Sequence, residues 1–116
     1  MNRVAVIGDG GWGTALALVL ARNGHSVRLW SAFPDYAKQL QRARDNVKFL
    51  PGFPLPPGLD VTADSRHALE GAQAVVLAVP SRFFREVVAR LAPDLPAAAH
   101  VVSVTKGLDR ETGQRM

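Results

Sequence analysis

At 116 residues, 47% hydrophobic and 21% charged, the chain has the size and make-up of one globular domain, able to bury roughly two thirds of its unfolded surface. It contains no cysteine, which excludes a disulfide frame, a thiolate metal site and a thiol nucleophile. The net charge of +4 comes from scattered residues such as Arg3, Arg22, Arg42, Arg66, Arg90 and Arg115, with no block of the kind that holds nucleic acid; the balance suits a small anionic ligand.

The first apolar run, residues 4–7, ends at Gly8 and predicts a buried strand. It is too short for a signal-peptide core or a membrane span, so a cytoplasmic protein without membrane insertion is expected. Residues 11–23 are rich in Ala and Leu and lack Pro, which predicts a helix with Gly24 at its C-terminal cap. Residues 27–30 predict a second strand, and 33–44 a polar-faced helix with Pro34 and Asp35 near its start. Residues 46–58 hold Pro51, Pro54, Pro56 and Pro57 beside Gly52 and Gly58, which predicts an extended loop. A short third strand follows over 59–62, then a short helix over 64–70 with Asp64 as N-cap and Gly71 as its stop. Residues 74–79, almost entirely apolar and closed by Pro80, predict the fourth strand. A helix over 81–91, a loop marked by Pro93 and Pro96, and a fifth strand over 101–105 complete the pattern, with 109–116 beginning another helix.

Strands that are apolar throughout, alternating with helices, predict a parallel sheet covered on both faces and joined by right-handed crossovers. The predicted class is α/β: a Rossmann-type, doubly wound, mainly parallel sheet with helices on both faces. Such a sheet normally continues into a sixth strand, so the fold is expected to be incomplete at its C-terminus, with residues 1–116 a dinucleotide-binding fragment of something longer.

The first strand runs into Gly8-Asp9-Gly10-Gly11-Trp12-Gly13, a G-x-G-x-x-G pattern placed between a strand and a helix in a unit that ends at Trp30. Gly8 permits the tight turn, Gly10 lets a pyrophosphate approach the backbone, and Gly13 lets the helix pack close to the sheet. The N–H groups at the helix start then face the phosphate charge. An acid that bonds the adenosine ribose is expected about twenty residues on. Here the strand ends Leu29-Trp30-Ser31-Ala32-Phe33 without one, and Asp35 lies a few residues late. No dedicated basic partner for a 2′-phosphate stands there either, since Arg28 is within the strand. The cofactor choice, NADP or NAD, stays open.

Ligands of a parallel sheet sit beyond the carboxyl ends of its strands. That rule selects Pro80, Phe83 and Phe84 after the fourth strand and Lys106 with Gly107 after the fifth. Lys106 is placed to bring its ammonium to a nicotinamide and an anionic or carbonyl substrate; the alternative is an ordinary solvated lysine. Phe83 and Phe84 either flank a cofactor ring or pack under their own helix. His25 and His100 precede their strands, at the wrong edge of the sheet, and His67 lacks metal-ligand spacing; no metal site is expected.

Together these residues resemble the N-terminal domain of bacterial-type NAD(P)-dependent glycerol-3-phosphate dehydrogenases. The resemblance runs from Ile7-Gly8-Asp9-Gly10-Gly11-Trp12-Gly13-Thr14-Ala15-Leu16-Ala17 through Asn23-Gly24-His25, Leu29-Trp30 and Asn46-Val47-Lys48-Phe49-Leu50-Pro51-Gly52 to Val79-Pro80-Ser81 and Thr105-Lys106-Gly107-Leu108-Asp109. It implies hydride transfer between NAD(P)H and dihydroxyacetone phosphate, giving sn-glycerol 3-phosphate for membrane lipid synthesis. It implies further that Gly11 and Trp12 line the pyrophosphate site, that Phe49 and Ala32 occupy cofactor-contacting positions, and that Lys106 touches both cofactor and substrate. Three positions depart from the family pattern: Asp9 replaces alanine, Ala32 replaces a basic residue near the adenosine 2′-phosphate, and Phe49 replaces tyrosine. The family's proton-transferring lysine, most contacts to the phosphorylated substrate and its homodimer interface belong to a helical domain outside these residues. The chain alone is therefore expected to bind cofactor poorly or moderately and to catalyse nothing. Two other readings are a related dehydrogenase of the hydroxyacid or ketopantoate type and a non-catalytic nucleotide-sensing module.

Overall fold

A computed structural model of the chain describes residues 2–46 and 50–104. In chain order the elements are strand β1 (Arg3–Ile7), helix α1 (Gly11–Arg22), strand β2 (Ser26–Trp30), helix α2 (Pro34–Ala43), strands β3 (Asp45–Asn46), β4 (Leu50–Pro54) and β5 (Asp60–Thr62), helix α3 (Ser65–Leu69), strand β6 (Ala74–Leu77), helix α4 (Phe84–Leu91) and strand β7 (His100–Ser103). Turns of 3-10 helix at Ser81–Phe83 and Ala92–Asp94 flank α4.

Five strands form one parallel sheet in the order β5-β2-β1-β6-β7. The chain winds outward from β1 through β2 to β5, returns across the sheet to β6 on the other side of β1, and goes on to β7. This is the doubly wound arrangement that the alternating elements predict.

Residues of β1 alternate between two cores. Val4 and Val6 face a cluster with Ala17 and Leu18 of α1, Ala37 and Leu40 of α2, Leu55, Leu59 and Val61. Ala5 and Ile7 face a second cluster with Trp30, Ala68 and Leu69 of α3, Val75, Leu77, Val87 and Leu91. A strand buried on both sides must be apolar, which is why Val4–Ile7 show no polar alternation after the exposed Arg3. Trp30 is fully buried, and its indole Nε1–H donates to the Ala63 carbonyl at 3.0 Å.

Local chemistry sets the helix ends. Asp64 caps α3, its Oδ1 accepting from the Arg66 N–H at 3.0 Å and the His67 N–H at 3.4 Å. Arg28 sends its guanidinium from β2 to the other end of α3, where it donates to the His67 carbonyl at 2.5 Å and the Glu70 carbonyl at 3.2 Å. Carbonyls at a helix C-terminus lack intrahelical partners and attract a cation. Helix α2 stops at Arg44, which adopts a left-handed conformation with φ of 54°. A non-glycine residue there costs about 1 kcal/mol or more. Two bonds from its guanidinium, to the carbonyls of Pro56 at 2.5 Å and Leu59 at 2.7 Å, help to hold it.

The structure departs from expectation in the proline-rich stretch. In place of one extended loop over 46–58, β3 and β4 pair as a two-stranded antiparallel ribbon, with Asp45 opposite Pro54 and Asn46 opposite Leu50. Proline cannot donate to a ladder, so it is excluded from central strands, but a two-stranded ribbon is all edge and tolerates it. The fourth strand pairs only to Leu77, the fifth begins at His100, and α4 starts at Phe84 after a 3-10 turn, a common way for a helix to begin after a proline. Strand β7 lies at the edge of the described sheet and is exposed along its whole length.

Among the described residues no helix is long and apolar enough to cross a membrane. Replacing Asp64 by Ala is expected to cost about 1 kcal/mol of stability, read as a lowered urea midpoint at unchanged slope.

Candidate functional site

The registers Ile7–Trp30, Ile7–Leu77 and Leu77–Ser103 bring the carboxyl ends of four strands level. Gly8, Ser31, Ala78 and Val104 therefore follow in one row. The ladder runs one step past the strands: the Gly8 N–H donates to Trp30 O at 3.0 Å, Ala78 N–H to Ile7 O at 2.8 Å and Val104 N–H to Leu77 O at 2.9 Å. Between β1 and β6 the connections leave on opposite faces, and a crevice opens where they part.

A cleft of about 380 Å³ lies there, lined by Gly10, Gly11, Trp12, Ala78, Val79, Pro80 and Val104. Its floor is the start of α1. The first N–H groups of a helix have no acceptor within it, and here the Thr14 N–H closes the first turn onto Gly10 O at 2.9 Å. The first turn carries no acidic side chain, so the positive end of the helix is not neutralised from within α1.

The three glycines of the pattern differ in what the fold itself demands. Gly8 has φ of 120°, and a Cβ there would lie 2.6 Å from the Ala78 carbonyl oxygen. A Cβ on Gly13 would run into the Gly8 carbonyl oxygen. Both positions are closed to any side chain by protein atoms alone. Among the described residues a Cβ on Gly10 would meet nothing within 4 Å, and its backbone (φ −66°, ψ −178°) is open to any residue. The described residues give no internal reason for glycine at this position.

Of the residues expected at the site, Gly10, Gly11, Trp12 and Pro80 line the cleft, and Gly8 and Gly13 build the turn beneath it. Trp12 is 54% exposed despite its size. Ala32 and Phe83 are not among the lining residues: Ala32 packs against the second core, and Phe83 sits beside Arg82, whose guanidinium lies 4.8 Å from its ring centroid. Phe84 also packs on the second core. Phe49 and Lys106 lie outside the described residues. Asp9 does not line the cleft, and its carboxylate Oδ2 is buried. Arg28 is committed to α3 and does not reach the β2 end. His25 accepts a bond from the Asn2 N–H, His67 meets Asp60 at 2.7 Å, and His100 opens β7 at the opposite edge. Among the described residues no group of three or more His, Asp or Glu side chains is placed to hold a metal ion.

The sequence reading missed Ala78, Val79 and Val104, although the rule that selects residues beyond strand ends includes them. It also missed Phe33, 68% exposed just past the β2 end, and Asn46, which is fully buried. The Asn46 Nδ2 donates to the Asp9 carbonyl at 2.6 Å and to Thr14 Oγ1 at 2.7 Å. No periodicity or spacing marks a contact between residues 37 apart.

The sequence pattern of the family described as "NAD-dependent glycerol-3-phosphate dehydrogenase N-terminus" matches residues 3–116. The chain belongs to this family. It is 49% identical over 112 residues to the glycerol-3-phosphate dehydrogenase (NAD(P)+) of Halorhodospira halophila, an alignment covering 97% of this chain and 33% of the relative. It is 47% identical over 111 residues to that of Thioalkalivibrio sulfidiphilus, covering 96% and 33%. The crystal structure of glycerol-3-phosphate dehydrogenase from Coxiella burnetii superimposes with a TM-score of 0.88 at 41% identity, covering 95% of this chain and 34% of that one. The chain thus spans about a third of the length of the dehydrogenases it matches. The Rossmann-type doubly wound fold of the family is the fold seen here.

The glycine geometry predicts two classes of alanine variant. Gly8→Ala and Gly13→Ala are expected to lower the thermal midpoint by about 10 °C or more, while Gly10→Ala stays within about 2 °C of the parent; calorimetric melts of the three variants check this.

Proposed function

We propose that residues 1–116 form the dinucleotide-binding unit of a dehydrogenase that moves a hydride between NAD(P)H and dihydroxyacetone phosphate, giving sn-glycerol 3-phosphate for glycerophospholipid synthesis in the cytoplasm. The observation that carries the reading is the bare Cα of Gly10. A tight turn that binds nothing accounts for Gly8 and Gly13, but it leaves Gly10 unexplained, whereas a pyrophosphate seated on the turn requires that no side chain stand there. Family membership supports the same reading and favours it over a hydroxyacid or ketopantoate reductase or a nucleotide sensor.

In this reading the N–H groups of Gly10, Gly11 and Trp12 meet the pyrophosphate at the positive end of α1. Trp12 and Pro80 line the cleft beside it. At the adenosine end, Ala32 and Phe33 follow β2, and the exposed Phe33 ring offers the adenine an apolar face. Phe49 and Lys106 take the roles that the family resemblance implies, Lys106 reaching both cofactor and the phosphorylated substrate. A bound nicotinamide supplies the hydride. The proton-transferring lysine, most substrate-phosphate contacts and a homodimer interface are assigned to the part of the relatives' length that this chain does not span.

The described residues also bear on NAD against NADP. The β2 end reads Ser31-Ala32-Phe33-Pro34-Asp35, a stretch without a cation. Arg28 is occupied by α3 carbonyls. A 2′-phosphate gains no charge-assisted bond from this stretch, and exposed Asp35 repels it.

Titration calorimetry at fixed salt tests the assignment. NADH is expected to bind saturably and at least as tightly as NADPH; Gly10→Ala should remain folded yet lose about tenfold or more in affinity. Absence of NADH and NADPH binding, or full affinity in Gly10→Ala, would remove the reading. Ala32→Arg is expected to move the NADPH-to-NADH affinity ratio about tenfold toward NADPH through a charge-assisted bond, measured in the same titrations.

A further inference from the structure

The Gly10 N–H is one end of a rigid plate. A trans peptide unit holds its C=O and N–H antiparallel, so whatever grips the Asp9 carbonyl also aims the Gly10 amide. Among the described residues two side chains grip it. Thr14 Oγ1, from the first turn of α1, donates at 3.2 Å, and Asn46 Nδ2, from β3, donates at 2.6 Å.

The three groups close a triangle. Asn46 gives one amide hydrogen to the Asp9 carbonyl and the other to Thr14 Oγ1 at 2.7 Å, and the Thr14 hydroxyl spends its own hydrogen on the same carbonyl. Both Nδ2 hydrogens are thereby used. Tyr36 of α2 donates its hydroxyl hydrogen to Asn46 Oδ1, which fixes which end of the amide faces the turn. Asn46 and Thr14 have no exposed surface, and Tyr36 is half-buried. A buried network of this kind holds a single arrangement, because any rotation strands a donor away from water.

We propose that Asn46 is a positioning residue for cofactor binding. It acts through the Asp9–Gly10 peptide, holding the Gly10 N–H toward the cleft that Gly10 lines, and Tyr36 sets its orientation. The proposal rests on the reading of that cleft as a pyrophosphate site. Its consequence is that the affinity of the glycine turn depends on a residue in the proline-rich ribbon, outside the βαβ unit that carries the glycines. An amide preset in this way costs the ligand no reorganisation on arrival.

The alternative is a staple that only joins the ribbon to α1. The two are separated by ligands with and without a pyrophosphate. Dissociation constants for ADP-ribose and for adenosine would be read by NMR titration, into the millimolar range, on the parent chain, Asn46→Asp and Tyr36→Phe. Asn46→Asp sets an acceptor against the Asp9 carbonyl; Tyr36→Phe keeps the amide and frees its orientation, and serves if the first variant does not fold. Positioning predicts ADP-ribose affinity falling about tenfold in Asn46→Asp and about threefold in Tyr36→Phe, with adenosine within about twofold of the parent in both. Equal losses for the two ligands, or none for ADP-ribose, would overturn the proposal while leaving the pyrophosphate site standing. Failure of the parent chain itself to bind ADP-ribose would remove the site and the proposal together.

Discussion

Everything at the carboxyl edge of the sheet depends on how near α1 comes to β1. The helix begins three residues after the strand turns, and Gly13 in its first turn lies against the Gly8 carbonyl with no room for a single carbon between them. That approach sets the height of the helix start relative to the strand ends. Val4 and Val6 then meet Ala17 and Leu18 in one core, and the first N–H groups of α1 open onto the gap between β1 and β6. A β-carbon on Gly13 would lift the helix and tilt these amides away from the gap, so packing and binding geometry draw on the same atomic contact.

The outer parts of the fold are fastened to this centre by polar side chains that cross between elements. Arg28 reaches from β2 to the C-terminus of α3, Arg44 from the end of α2 to the loop before β5, and Trp30 from the sheet to the Ala63 carbonyl. Each gives a backbone carbonyl outside the regular ladders a partner that water would otherwise have to supply. The basic residues of the chain are therefore not a uniform coat attracting polyanions; Arg28 and Arg44 are structural donors.

Much of this was legible in the residues. Runs such as 4–7 and 74–79 are apolar at consecutive positions because both faces of the sheet are covered there, and that signal yields the central strands β1 and β6 directly; the edge strands β5, with Asp60 and Thr62, and β7, exposed along its length, carry it less fully. The glycine pattern located the turn because its chemistry is local: strand, bend and helix start lie within a few residues. Asp64 was readable for the same reason. Legibility failed where the cause was distant or subtle. The prolines of 51–57 marked irregular chain, yet pairing in a two-stranded ribbon demands little of them. For Phe83 and Phe84 the residues left two readings, a ring contact or packing under the helix, and Phe84 takes the second, since facing depends on where the 3-10 turn yields to the helix. Asn46 opens a stretch that resembles the family, but nothing local marked its contacts; its partners are in other elements and become neighbours only once the sheet has formed.

The two tryptophans divide the chain's optical properties between them. Trp30 is sealed in the second core, with the Arg90 guanidinium 5.3 Å from its ring centroid, while Trp12 stands half in solvent at the mouth of the cleft. An indole in an apolar enclosure emits at shorter wavelength than one touching water. The native emission band is therefore a composite, its blue side reporting the integrity of the sheet and its red side the state of the glycine turn, and a single spectrum can follow unfolding and ligation as separate events.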